Sequence, residues 1–459
     1  MHSAPIPGSP AFAGDFVHLF EQLLPPHVAE EIFLSHGPRG GGLPKLSGWQ
    51  WLMAKVFHVM SPLGDFAGHV KQITGTHISN SALSQRGASI GWELVAAVLP
   101  RALAPLAEAR AQPDAFHQGL RLAALDGTSH NLRNTPAMKA RAVKSRCRGK
   151  SGEPAFARLG SVVLVELGSH QPLAAAFGWE NQGELTLARQ VCAQGAIPPR
   201  TLLLGDRLYG VPSLIHEILP GLRRDGGALL FRTKENMTSR LVEILPDASR
   251  LIDVDVFHPQ TRKPLGTLRL RDIEAEVSFE GREKPVTLRL WTSLLDHEVH
   301  PALALVELYA TRWEHELFYR ELKSHLHGRA NLLDAQTPET AAQEALALLM
   351  AAAVIARQRA VVASAAGVAM RKISFAKVLE ATVALCRVME LGRDLIDDAA
   401  RAEWTRRVLV ELALTARIPE RKPRSCERGL RQPAKNWKKI RQPTSIPLVK
   451  KIALTLTSP

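Results

Sequence analysis

Apolar and polar positions change their spacing several times along this chain, and each change predicts a different kind of element. Up to about residue 115 the apolar residues gather in helix-forming stretches such as Leu46–Met60 and Trp92–Ala107, separated by Gly and Pro. From about 116 short apolar runs take over: Arg121–Asp126, Arg158–Glu166, Gln171–Phe177, Thr201–Asp206 and Ala228–Arg232. Helices are expected between them, around Glu184–Ala193 and Val211–Leu219. Strands first, then alternating strand and helix, predict a mixed α/β sheet. Strand-like alternation returns at Leu251–Phe257, Gly266–Arg271 and Pro285–Trp291. Thr337 and Pro338 then read as the N-cap and first position of another helix, with more helices to about 415. The expected divisions are a helical region 1–115, an α/β core in two parts (116–236 and 296–360), a β-rich segment 237–295 between them, and a helical region with a basic tail 361–459.

One helical stretch carries an unusual polar face. Tyr309, Arg312, Glu316 and Lys323 fall within roughly 60° of one another when wound at about 100° per residue. Leu308, Phe318, Leu322 and Leu326 gather in an adjacent sector that suits a core. A carboxylate flanked by an arginine and a lysine is suited to meeting phosphate and metal together.

Charge sharpens this picture. The 459 residues carry a formal charge of +14, which points to a polyanionic partner such as nucleic acid. Gly37–Gly42 lacks the Gly-Lys-Ser/Thr ending of a phosphate-binding loop. The scattered Cys147, Cys192, Cys386 and Cys426 form no zinc pattern and fit a reducing cytosol. The start lacks the basic-then-apolar order of a secretory signal, and the apolar run Ala345–Ala356 is too short to cross a bilayer. His297-Glu-Val-His300 lacks zinc-helix spacing and is followed at once by Pro301, so it reads as a loop.

The pattern Tyr309-x2-Arg312-x3-Glu316-x6-Lys323 resembles the signature of the insertion-sequence family four group of DDE transposases. That family needs two upstream aspartates, each at a strand end; Leu122-Ala-Ala-Leu-Asp126 and Thr201-Leu-Leu-Leu-Gly-Asp206 fit them. The resemblance covers roughly Leu122 to Gln358. It implies a ribonuclease-H-like catalytic core with a β-rich insertion, flanked by helical N- and C-terminal regions. It implies Asp126, Asp206 and Glu316 as catalytic residues and ligands of Mg²⁺ or Mn²⁺, with two ions expected. It implies phosphate or DNA contacts for Tyr309, Arg312 and Lys323. The expected partners are double-stranded DNA, as transposon ends and target, and a second copy of the chain through 338–415. No membrane role is expected, and the setting is the bacterial cytosol.

Softer expectations surround this centre. Arg207, next to Asp206, is expected to face DNA. Trp291 ends a strand before the Glu316 helix, where it serves either to stack a flipped base or as a core residue. His77–Arg86 fits either the recognition helix of a helix-turn-helix or an ordinary helix hairpin. The basic loop Lys139–Lys150 and the basic tail beyond 417 are read as DNA contacts, with a solvated loop and a disordered tail as the bland alternatives. Two rival functions remain open at the level of sequence: a metal-dependent nuclease of the same fold, and a DNA-binding protein with a vestigial site.

Overall fold

The computed structural model describes residues 12–36, 45–61, 63–141, 157–179, 182–277, 286–326 and 333–419. The chain begins with helices α1 (Phe16–Leu23), α2 (Pro26–His36), α3 (Gly48–Met60), α4 (Phe66–Thr74), α5 (Asn80–Ala88) and α6 (Trp92–Ala102). Asp15, Ser47, Asp65 and Ser79 cap α1, α3, α4 and α5 through their side-chain oxygens, which settles where the expected apolar stretches become helical.

A mixed sheet follows: β1 (Phe116–His117), β2 (Leu120–Leu132), then helix α7 (Pro136–Arg141), β3 (Ala157–Glu166) and β4 (Gln171–Trp179). Helix α8 (Glu184–Ala193), β5 (Thr201–Gly205), helix α9 (Pro212–Arg224) and β6 (Ala228–Arg232) complete this part. The strand order is β4-β3-β2-β5-β6, with β3 antiparallel to its neighbours and β5 and β6 parallel to β2. This is the ribonuclease-H-like arrangement. Strand side chains alternate between two cores: Leu203 and Leu125 join the layer of α8 and α9, while Leu202, Leu204 and Leu122 join the opposite layer.

The β-rich segment comprises β7 (Arg240–Ile244), β8 (Arg250–Phe257), β9 (Pro264–Val277) and β10 (Val286–Thr292). It is not a separate sheet. β10 pairs antiparallel with β6, so the sheet runs on through β9 and β8 to β7. Trp291 is placed by this joint opposite Phe231 and is fully buried.

The remaining helices are α10 (Ala302–Tyr309), α11 (Trp313–Glu321), α12 (Pro338–Ala366), α13 (Phe375–Leu391) and α14 (Asp398–Thr415). Thr337 caps α12 and Pro338 takes its first turn, as the sequence predicts. At 29 residues α12 is long and apolar enough to cross a membrane, yet it lies inside the protein. Every residue from Ala341 to Ala356 is buried. It packs against α1, α3, α5 and α6 and against α13 and α14, so one core joins both helical regions. Between His77 and Arg86 the chain passes from an extended stretch into α5, capped by Ser79, and the buried residues of that helix are Leu83 and Gly87.

A buried ionic cluster ties α11 to the rest. His170, in the turn between β3 and β4, is fully enclosed with φ of 59°. Its Nε2 lies 3.0 Å from Glu314 and its Nδ1 2.8 Å from Glu321, two turns apart on α11. Arg359 of α12 reaches Glu321 at 3.3 Å, and Arg371 reaches Asp114 at 3.1 Å and Glu314 at 3.8 Å. Burial alone would lower the His170 pKa, but the flanking carboxylates outweigh it and raise it. A raised folded-state pKa means that His170 stabilises the fold fully below its usual 6.5 and that this stabilisation is lost as pH rises through the folded value. His170→Leu should cost about 3 kcal/mol at pH 6, because it leaves buried Glu321 with Arg359 alone and half-buried Glu314 with the more distant Arg371. Urea unfolding at pH 6 and pH 9 checks this: the penalty should shrink at the higher pH, and a penalty that grows there contradicts the charged state.

Candidate active site

The sheet brings the two aspartates together before any helix is considered. β2 and β5 are adjacent and parallel, with Leu125 opposite Gly205, so Asp126 and Asp206 each stand one residue beyond that pair. Neighbouring strands run about 4.8 Å apart. β2 itself does not end at Asp126; it continues to Leu132 against β3, and what stops is its pairing with β5. Asp126 Oδ1 accepts the Gly127 N–H at 2.9 Å, and Asp206 Oδ1 accepts the Leu208 N–H at 2.7 Å in a turn that leaves the sheet. Burial pushes the Asp126 carboxyl up to about 6, opposed by the Gly127 N–H and Arg312 and reinforced by Asp206 and Glu184.

The signature helix is not one regular α-helix. After α10, Ala310–Arg312 tighten into a 3-10 turn, α11 follows, and Leu322–Leu326 widen into a π-helical turn. A uniform winding therefore misstates the pitch at both ends, although Tyr309, Arg312 and Lys323 still meet the sheet and Glu316 meets Arg312. Arg312 spans two acids, with Nη1 3.5 Å from Asp126 and Nη2 3.1 Å from Glu316. Lys323 donates to the Thr128 hydroxyl, two residues past Asp126. Phe318, Leu322 and Leu326 are buried, and Leu308 is partly buried, as the adjacent apolar sector predicts.

Tyr309 has a different place from the one expected. It is buried, and its hydroxyl donates to the Gly205 carbonyl at 3.1 Å. It therefore anchors the helix to the residue before Asp206 rather than presenting its hydroxyl to a phosphate. Trp291 does not join the cluster at all. It is fully buried within the sheet core, with the Arg289 guanidinium 5.6 Å from its ring, so no base can stack on it in this conformation. The core reading is the one its burial supports. Arg207 is exposed directly beside Asp206.

Further residues complete the centre without any sequence motif to announce them. His315 Nε2 donates to the Val163 carbonyl at 3.0 Å, and Val163 is the cross-strand partner of Asp126. Burial pushes the His315 pKa down to about 3, which keeps the ring neutral for that bond. Tyr319 donates to the Asp126 carbonyl at 2.6 Å. Glu184, at the start of α8, accepts the Tyr209 hydroxyl at 2.6 Å and is close enough to raise the Asp126 pKa. Periodicity marks His315 and Tyr319 as inward-facing but says nothing of their acceptors. Glu184 gives no signal in the chain because its partners are remote.

The donor set is oxygen only, which suits Mg²⁺ or Mn²⁺ better than softer metals. Among the described residues no three acidic, histidine or cysteine side chains converge into a ready-made metal cluster. Arg312 occupies the space between Asp126 and Glu316, supplying positive charge where a cation would. The chemistry of the residues fits the ion. Lys144, Arg146, Arg148, Lys150 and the basic tail from 420 lie outside the described residues, as do Gly37–Gly42, Cys147 and Cys426. Lys139 and Arg141 are exposed at the end of α7, and the His297–His300 segment is a turn entering α10.

A family model described as a transposase DDE domain matches residues 117–354, just over half of the chain. A curated relative, the transposase InsG for insertion sequence element IS4 of Escherichia coli (strain K12), is 29% identical over 243 residues. That alignment covers 52% of this chain and 52% of the relative, so the chain matches about half of the relative's length. A solved piggyBac transposase synaptic complex with hairpin DNA superposes over 90% of this chain and 87% of that one, with a TM-score of 0.40 and 10% identity. With a transposase DDE domain model matching more than half of its residues, the chain belongs to the DDE-domain transposase family.

Proposed function

We propose that this chain is a DNA transposase that binds the terminal inverted repeats of its own insertion sequence, cleaves DNA strands there and joins them to a target. The observation that carries this reading is the placing of Asp126 and Asp206 side by side where β2 and β5 part, with Arg312 bridging Asp126 to Glu316. Asp126, Asp206 and Glu316 would hold two Mg²⁺ or Mn²⁺ ions, which activate a water or 3′-hydroxyl and stabilise the leaving oxygen when bound. Before that, mutual repulsion among the carboxylates is offset by Arg312. Two unit charges 4 Å apart cost about 4 kcal/mol at an effective dielectric of 20. Once the acids are neutralised, Arg312 is free to turn to a DNA phosphate beside Lys323 and exposed Arg207. Tyr309 acts from behind, holding the Asp206 loop. The net charge of +14 favours DNA. The working form is a homodimer on paired DNA ends in the bacterial cytosol.

Purified protein incubated with the DNA flanking its gene should nick at a fixed end when Mg²⁺ is present and not in EDTA. Glu316→Ala and Asp126→Asn should each lower that rate by at least about 100-fold while end binding persists; full cutting by either variant contradicts the assignment. Cutting at random sites would favour a simple nuclease, and end binding without cutting would favour a vestigial catalyst.

The Asp126 environment predicts a second, independent effect. Its folded-state pKa of about 6 lies above the ordinary 3.8, so the ionised carboxyl weakens the metal-free fold at higher pH. Asp126→Asn should therefore stabilise metal-free protein at pH 8 by up to about 3 kcal/mol, taking about 1.4 kcal/mol per pKa unit. The gain should fade as pH falls through 6 and vanish below the ordinary carboxylate range. Thermal unfolding in EDTA at pH 8 and pH 5 measures it, and equal stabilisation at both values would rule out this origin.

A further inference from the structure

The two aspartates sit where like charges repel, and Asp206 lies in a turn beyond the end of β5. One side chain from a third element touches the neighbours of both. Glu184 opens α8, where the helix N-terminus favours a carboxylate. Its Oε1 accepts the hydroxyl of Tyr209, a fully buried residue three positions after Asp206. The Gly127 N–H, whose bond to Asp126 Oδ1 is 2.9 Å, also lies against the Glu184 carboxylate. The approach is so close that a Cβ on Gly127 would fall inside the carboxyl group of Glu184. A side chain after Asp126 would displace the Glu184 carboxylate from this position.

We propose that Glu184 is a positioning residue of this reaction centre, clamping the Asp206 loop to the Asp126 strand through Tyr209 and Gly127. The inference rests on the transposase reading above. The clamp opposes the repulsion that would otherwise open the loop, and it does so through hydrogen bonds rather than through charge. A third carboxylate adds repulsion of its own: Glu184 and Asp206 act on each other, and both act on Asp126. A neutral side chain of the same shape would keep the Tyr209 bond without that cost.

This separates three variants of the full-length protein. Glu184→Ala removes the clamp, Tyr209→Phe removes one of its bonds, and Glu184→Gln keeps an oxygen acceptor in place. Calorimetric titration with Mn²⁺ alone, beside end cleavage and end binding, reads the effect. Glu184→Ala and Tyr209→Phe should weaken Mn²⁺ binding about 10-fold or more, in line with other residues that orient metal ligands from behind. Their DNA affinity should stay at the wild-type level. Glu184→Gln should stay within about threefold of wild type for Mn²⁺. Wild-type Mn²⁺ binding by Glu184→Ala overturns the proposal. So does a Glu184→Gln as impaired as Glu184→Ala, because charge would then be the cause. If Glu184→Ala melts early, the milder Tyr209→Phe decides. Failure of the transposase reading looks different: wild-type protein would bind no Mn²⁺ and cut no end.

Discussion

Everything at the candidate site depends on how α11 is seated on β2 and β3. Asp126 and Asp206 are placed by a strand ladder, but Glu316 must arrive from a helix on the far side of the β-rich segment. The helix is held from three directions. His315 and Tyr319 bond the carbonyls of Val163 and Asp126, which face each other across two strands. Tyr309 bonds the carbonyl of Gly205. Behind the helix, His170 engages Glu314 and Glu321 within a low-dielectric interior. Glu316 lies between those two acids in the chain, so fixing them fixes its side of the helix. A buried charge cluster is a costly way to add stability. Here its effect is on placement, since the same carboxylates offer few other ways to be buried.

The polar face of this helix then follows from small departures from regularity. Tightening at Ala310–Arg312 and widening at Leu322–Leu326 let one helix present Arg312 to two acids and Lys323 to Thr128. Both adjustments lie at the ends of the segment that bears Glu316, where contacts with the sheet compete with ideal helical pitch.

Much of this was legible in the chain. Short-range physics fixes β5 and β6 as apolar runs bounded by turns, the capped start of α12, and the stripe that joins Arg312 to Glu316 four residues on. The two aspartates were found through resemblance to a family rather than through periodicity, because an acid after an apolar run is common. What stayed hidden depends on contacts between remote parts of the chain. The bond from Glu184 to Tyr209 and the pairing of β10 with β6 are of this kind. Trp291 was ambiguous for the same reason: a strand-end tryptophan is exposed or buried according to what pairs beside it, and β6 buries it. Tyr309 belonged to the right stripe, but its acceptor is a backbone carbonyl, which no side-chain pattern reports.

The central position of α12 also sets an order of events during synthesis. Helices α1, α3, α5 and α6 leave the ribosome first, yet the apolar faces they bury are covered by a helix that begins at Pro338. Until that helix emerges, the N-terminal region has no lid for Trp51, Leu52 and Phe57, which end fully or almost fully enclosed. Nascent and prematurely terminated chains therefore expose sticky surface, and they are substrates for chaperones or for aggregation rather than stable fragments. Only a chain extended through Ala366 can finish the part that was made first, which couples competence of the N-terminal half to completion of translation.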